Sequence, residues 1–123
     1  MPKLHIPALK EGITLAEDWK FDLHIETRNT SLIALVLGRE PTGTEMWGRF
    51  NPSSRAYEGK LDGPFRFSLP AGTELIVDRI YIRQGAKDFD SVTFRVKSSP
   101  DERTKKARFW VTLDDANKIE MTS

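Results

Sequence analysis

The sequence predicts an all-β domain: a small, partly open β-barrel, extended by an N-terminal β-meander and closed by one short helical turn near the C-terminus. Three observations carry this expectation. Short runs alternate apolar and polar residues with a period of two, as in Ser91-Val-Thr-Phe-Arg-Val-Lys97 and Ala107-Arg-Phe-Trp-Val-Thr-Leu113. Turn residues punctuate these runs at short intervals, and no stretch sustains helical periodicity. The 123 residues read as one domain, with an arm at 1–16, a meander at 17–69 and the barrel core at 70–121.

The arm contains Pro2 and Pro7 and has no sustained period, with Ile13-Thr14-Leu15 a candidate edge strand. From Lys20 to Thr27 the alternation puts Phe21, Leu23 and Ile25 on one face and Asp22, His24 and Glu26 on the other, a half-buried strand. Trp19 reads as a core anchor. Arg28-Asn-Thr30 is turn chemistry. Leu32–Leu37 is apolar at both parities, which fits a strand buried on both faces. It also fits a short helix capped by Asn29 or Thr30 and ended by Gly38. Six residues are under two helical turns, which favours the strand. Glu45–Phe50 is a candidate hairpin partner. Residues 51–64 hold two prolines, two glycines and two serines and read as a surface loop, one long enough to be functional or to hide a strand.

Phe65–Leu69 alternates again, and Pro70-Ala-Gly72 turns the chain into Thr73–Arg83. There Leu75 and Val77 are inward at odd positions, but Ile80 and Ile82 at even ones. The face switches between Asp78 and Arg79, which requires a bulge or sharp bend. Gly85, within Gln84–Asp88, suits the hairpin turn that follows. Val92, Phe94 and Val96 then point inward, as do Phe109, Val111 and Leu113. Asp114–Asn117 reads as one helical turn and Lys118–Met121 as a closing strand. This order matches the layout of a small SH3-like barrel, whose closure would remove exposed strand edges.

The segments Arg79–Arg83, Asp90–Arg95 and Arg108–Lys118 resemble small bacterial and phage proteins that have no assigned activity. The resemblance covers roughly the last 45 residues. It implies a phage or mobile-element origin and no particular chemistry.

Composition excludes several functions. Without cysteine there are no disulfides, thiolate zinc sites or cysteine nucleophiles. No apolar run approaches the length of a membrane span, and the N-terminus lacks a signal-peptide core, so a cytoplasmic location is expected. Net charge is +1 and selects no partner. The stretch Arg95–Arg108 is locally basic, with six cations against Asp101 and Glu102.

Two surfaces are candidates for binding. Trp47, Arg49, Phe50 and Tyr57 sit in the least regular region, with Arg55 between them, and tryptophan, tyrosine and arginine are the types enriched at binding hot spots. They would dock a protein partner, although folding back over a barrel end as an apolar plug is the commoner fate of such side chains. The alternation also puts Tyr81, Arg83, Arg95, Lys97, Arg108 and Trp110 on the outward sheet face. Rings that stack on bases and cations that follow phosphates would suit a single-stranded nucleic acid. The ordinary reading of that face is solvated charge, with Trp110 lying beneath the N-terminal segment. Asp88, Asp90, Asp114 and Asp115 read as turn caps rather than metal ligands, and His5 and His24 have no partner at ligand spacing. The expectation is a non-enzymatic protein-interaction module without metal or cofactor. The alternative is a nucleic-acid-binding sheet.

Overall fold

The structure is a computed structural model and describes residues 8–82 and 90–122. These contain strands β1 (Gly12–Thr14), β2 (Trp19–Leu23), β3 (Arg49–Asn51), β4 (Ala56–Glu58), β5 (Phe65–Leu69), β6 (Glu74–Tyr81), β7 (Ser91–Ser98) and β8 (Arg108–Thr112). Three short helices, α1 (Thr30–Leu37), α2 (Gly43–Trp47) and α3 (Leu113–Ala116), accompany them. The protein is therefore sheet-rich, as the alternation predicts.

The strands form a four-stranded antiparallel sheet in the order β1-β6-β7-β8, a β2-β5 pair and a β3-β4 hairpin. The expected meander over 17–69 does not form, because β2 pairs with β5 across two helices and a hairpin. The described sheets do not close into a barrel, where the sequence predicts one that is only partly closed. Among the described residues no ladder joins β2 to β8, although the two strands lie close together.

An aromatic core holds the two main sheets face to face. Phe21, Phe94 and Phe109 are fully buried. Phe21 stacks on Phe109 at 5.1 Å between centroids, and Trp19 meets Phe94 edge-on at 5.6 Å. Burying each such ring is worth about 1.5–3 kcal/mol. The bulge lies where the alternation places it. Val77 pairs with Phe94 and Arg79 with Thr93, so Asp78 is the extra residue and the inward set moves from Leu75 and Val77 to Ile80, whereas Ile82, expected inward as well, is exposed beyond the end of β6.

Two side chains close the free strand edges between these sheets. Asn29, fully buried, accepts from the Trp110 backbone N–H of β8 at 2.7 Å and donates to the His24 carbonyl at 2.8 Å. Asp115, also buried, accepts from the Asp22 backbone N–H of β2 at 2.9 Å. Its own carbonyl accepts from the Trp19 indole at 3.0 Å. Each edge thus gains one acceptor from the continuation of the other strand.

Several expectations are corrected. Leu32–Leu37 is helix: α1 buries Leu32 and Ile33, leaves Val36 exposed and ends at Gly38 in left-handed backbone with φ 74°. A helix pairs its own backbone groups, so this apolar run needs no strand on either side. Asn29 occupies the N-cap position, but its side chain bridges β8 and His24 instead of capping. Glu45–Phe50 splits between α2 and β3, and the 51–64 loop contains β4. The closing strand reduces to a single bridge from Met121 to Leu15, and the edge strand of the arm runs Gly12–Thr14. The turn at Gln84–Asp88 lies outside the described residues.

Asn29→Ala strands a buried N–H and a carbonyl. Urea unfolding is expected to show a loss of about 1–3 kcal/mol with an unchanged m-value. A variant as stable as the wild type would show that this bridge does not hold β8 to the β2 continuation.

Candidate functional site

Residues 39–61 build a small unit around the β3–β4 hairpin. Thr42 caps α2 by accepting from the Glu45 N–H at 3.1 Å, while the Glu45 carboxylate accepts from the Thr42 N–H at 2.9 Å. The same carboxylate receives both Arg39 guanidinium nitrogens at 2.6 Å. These donors, the Arg39 hydrogen bond above all, lower the Glu45 pKa to about 2. Gly48, with φ 77°, ends α2 and turns the chain into β3. A Cβ there would lie 3.3 Å from the Tyr57 Cβ, so the turn is tight as well as left-handed. At the hairpin tip the Asn51 Oδ1 accepts from the Ser53 N–H at 2.9 Å, and Arg55 adopts φ 54°. Leu61 donates its N–H to the Glu45 carbonyl at 2.9 Å, tying the returning chain to α2. Met46 and Leu61 pack against the main core and anchor the unit.

This frame holds the aromatic residues outward. Phe50 and Tyr57 are cross-strand partners with ring centroids 5.3 Å apart. Their exposures are 50% and 70%, and Trp47, at the end of α2, is 66% exposed. The apolar plug that such residues commonly form does not occur here. Beside Phe50 lies an open groove of about 640 Å³ lined by Thr44, Arg49, Pro52 and Glu58 among others. The Asn51 amide and the Ser54 hydroxyl both donate to one Glu58 oxygen, at 3.1 and 3.2 Å.

The outward face of the large sheet differs from the expected platform. Arg95 and Arg108 both turn to the bulge residue Asp78, at 3.8 and 3.0 Å. Trp110 is half-buried, stacked on His24 at 4.9 Å, with the Arg28 guanidinium 5.5 Å from its ring centre. It lies beneath the segment that follows β2, and His24 already stacks on its ring. His24, expected as an exposed neighbour of Asp22 and Glu26, is half-buried by the same contact. Tyr81 and Lys97 are exposed, while Arg83 lies outside the described residues. A second groove of about 500 Å³ runs between His24–Glu26 and Lys60–Pro64, with Trp110 in its wall.

The remaining candidates have structural roles or lie outside the described residues. Trp19 is core. Asp115 holds β2 and pairs with Lys118 at 3.2 Å, whereas Asp114 is exposed. Asp90 precedes β7, and its carbonyl accepts from the Leu113 N–H at 3.0 Å. His5 and Asp88 lie outside the described residues. Among the described residues no three His, Asp or Glu side chains converge in a metal-binding group, and no helix is long and apolar enough to cross a membrane. The framing residues Arg39, Thr42 and Glu45 carry a signal that reading for strands passes over: Thr-x-x-Glu is a capping-box spacing. No family model, curated protein or solved structure matches the chain.

The Glu45 pKa, depressed from 4.5 to about 2, fixes the sign of a pH effect. Its contribution to stability is present above the unfolded value and is lost as pH falls through the folded one. A carboxyl carbon titration by NMR is expected to give a midpoint near the depressed value, moving up toward that of an ordinary glutamate in Arg39→Ala. An identical midpoint in the two proteins would mean that Arg39 does not hold the carboxylate.

Proposed function

We propose that this protein is a non-enzymatic protein-interaction module that docks through Trp47, Arg49, Phe50 and Tyr57. The observation that carries the reading is the outward display of three large aromatic side chains, Trp47 at the end of α2 and Phe50 and Tyr57 on the framed hairpin. Leaving such rings in water forgoes the burial that drives folding, and grouped exposed apolar residues mark interaction sites. Aromatic residues and arginine dominate binding hot spots because they bury a large area with few rotatable bonds. The capping box, the Arg39–Glu45 pair and the turn at Asn51–Arg55 fix the hairpin before it binds, which lowers the entropic cost of association.

A bacterial or phage source, as the C-terminal resemblance implies, would make the partner a host protein or complex. The architectural reading that accompanies this is a partly open SH3-like arrangement. It is supported by the bent β6, by the 3₁₀ turn Glu102–Thr104 before β8 and by the packing of β2–β5 over the large sheet. The single-stranded nucleic-acid reading ranks second. Asp78 draws in two of its cations, and Trp110 is partly covered by His24.

Affinity capture on the immobilised chain is expected to retain a definite protein at high salt. Each of Phe50→Ala and Tyr57→Ala should weaken that capture by about 2 kcal/mol, or roughly 30-fold, with melting temperature unchanged. The opposing result is salt-sensitive binding of labelled single-stranded DNA or RNA that is lost in Arg95→Ala/Lys97→Ala and kept in the hairpin variants.

A further inference from the structure

We infer that the partner presents an acidic surface carrying apolar side chains to the β3–β4 hairpin. This rests on the protein-interaction reading above and adds the chemistry of the partner. Nine arginines lie among the described residues, and six of them, Arg28, Arg39, Arg66, Arg95, Arg103 and Arg108, are ion-paired within the chain. Two of the other three are Arg49, which lines the groove beside Phe50, and Arg55, at the hairpin tip. Lys60, at the hairpin root, likewise makes no ion pair among the described residues. Arg49, Arg55 and Lys60 are thus three uncompensated cations on the hairpin and its root, while Arg79, Lys10, Lys20, Lys97, Lys105 and Lys106 are likewise unpaired elsewhere among the described residues.

The opposing charge on the hairpin is Glu58, the cross-strand partner of Arg49. One of its oxygens is already engaged by Asn51 and Ser54. Glu45 is engaged by Arg39. Three cations and one carboxylate leave a surplus of two positive charges over Arg49–Lys60. Apolar anchors ringed by one sign of charge form the usual anatomy of a steered interface: the anchors supply affinity, while the rim speeds encounter and rejects like-charged surfaces.

The groove beside Phe50 gives the partner's apolar group a place to enter, with Pro52 in its wall and Arg49 also lining it. A concave site with hydrogen-bonded Asn51 and Glu58 in its lining suits a side chain of a protein. An anionic lipid surface shares the acidic and apolar chemistry but would bring those polar groups against the headgroups without a partner for the groove.

The test pans a random-peptide display library on the full chain, with counter-selection on Trp47→Ala/Phe50→Ala/Tyr57→Ala. The expected peptides are rich in Asp and Glu with interspersed Leu or Phe. Their affinity should fall at least ~10-fold in Arg49→Glu/Arg55→Glu/Lys60→Glu and decline with salt. Both variants alter exposed side chains, and their folding is checked by thermal melting, with single substitutions replacing any that melts early. Peptides that need the aromatic residues but are neutral or basic, or that ignore the charge reversal, overturn the acidic partner and leave the docking reading standing. If no selected peptide depends on the aromatic residues, the docking reading falls, and this inference falls with it. Flotation with phosphatidylcholine vesicles, with and without phosphatidylserine, is the last arm. Serine-lipid-dependent binding that is lost in the aromatic variant would assign the hairpin to a membrane and overturn the proposal.

Discussion

Two hydrogen bonds from buried side chains, Asn29 to the Trp110 N–H and Asp115 to the Asp22 N–H, decide how the two main sheets of this protein meet. A strand edge with unpaired N–H groups has to be paired, covered or hydrated. β2 and β8 lie near each other without forming a ladder, and each edge takes an acceptor from the chain that follows the other strand. The exchange lets the sheets approach closely enough for Trp19 and Phe21 to pack on Phe94 and Phe109 without the strand tilt and stagger that barrel closure imposes.

That closure device shapes the outer surface as well. To reach Trp110, the chain after β2 passes over β8, which brings His24 and Arg28 onto the indole. The same bulge that turns β6 places Asp78 between Arg95 and Arg108. The part of the sheet face that the alternation marks as basic and aromatic is therefore partly consumed by the fold. The hairpin unit is built the other way. Its polar groups are used locally, in the Thr42–Glu45 box, the Arg39–Glu45 pair and the Asn51 turn, and its rings and three of its cations are left to solvent.

Much of the fold was legible because β-structure writes a period of two into the sequence. Phe21, Leu23, Val92, Phe94, Val96, Phe109 and Val111 are buried where the alternation puts them. The parity break at Asp78–Arg79 is visible because a bulge shifts the phase of every later side chain. Leu32–Leu37 was not legible, since a run apolar at both parities fits a buried strand as well as a short helix, and the length argument chose wrongly. α2 and β4 escaped because three to five residues are too few to show a period, although the Thr42–Glu45 spacing was a usable mark of the helix start.

The candidate site divides along the same line. The sequence by itself determined a sheet-rich chain, the inward residues of its longer strands, the bulge, and a cluster of hot-spot residue types at 47–57. It could not say whether those aromatic residues are covered. Hydropathy states a side chain's preference for burial, whereas burial depends on which distant segment arrives to cover it. Only the tertiary structure decided that Trp47, Phe50 and Tyr57 face solvent, because the frame that holds the hairpin off the core joins residues 39–48 to 57–61. Only it decided that Trp110 is half-buried, because His24 and Arg28 reach it from more than 80 residues earlier in the chain. Alternation is a local property and is written locally; exposure is a relation between segments far apart in sequence.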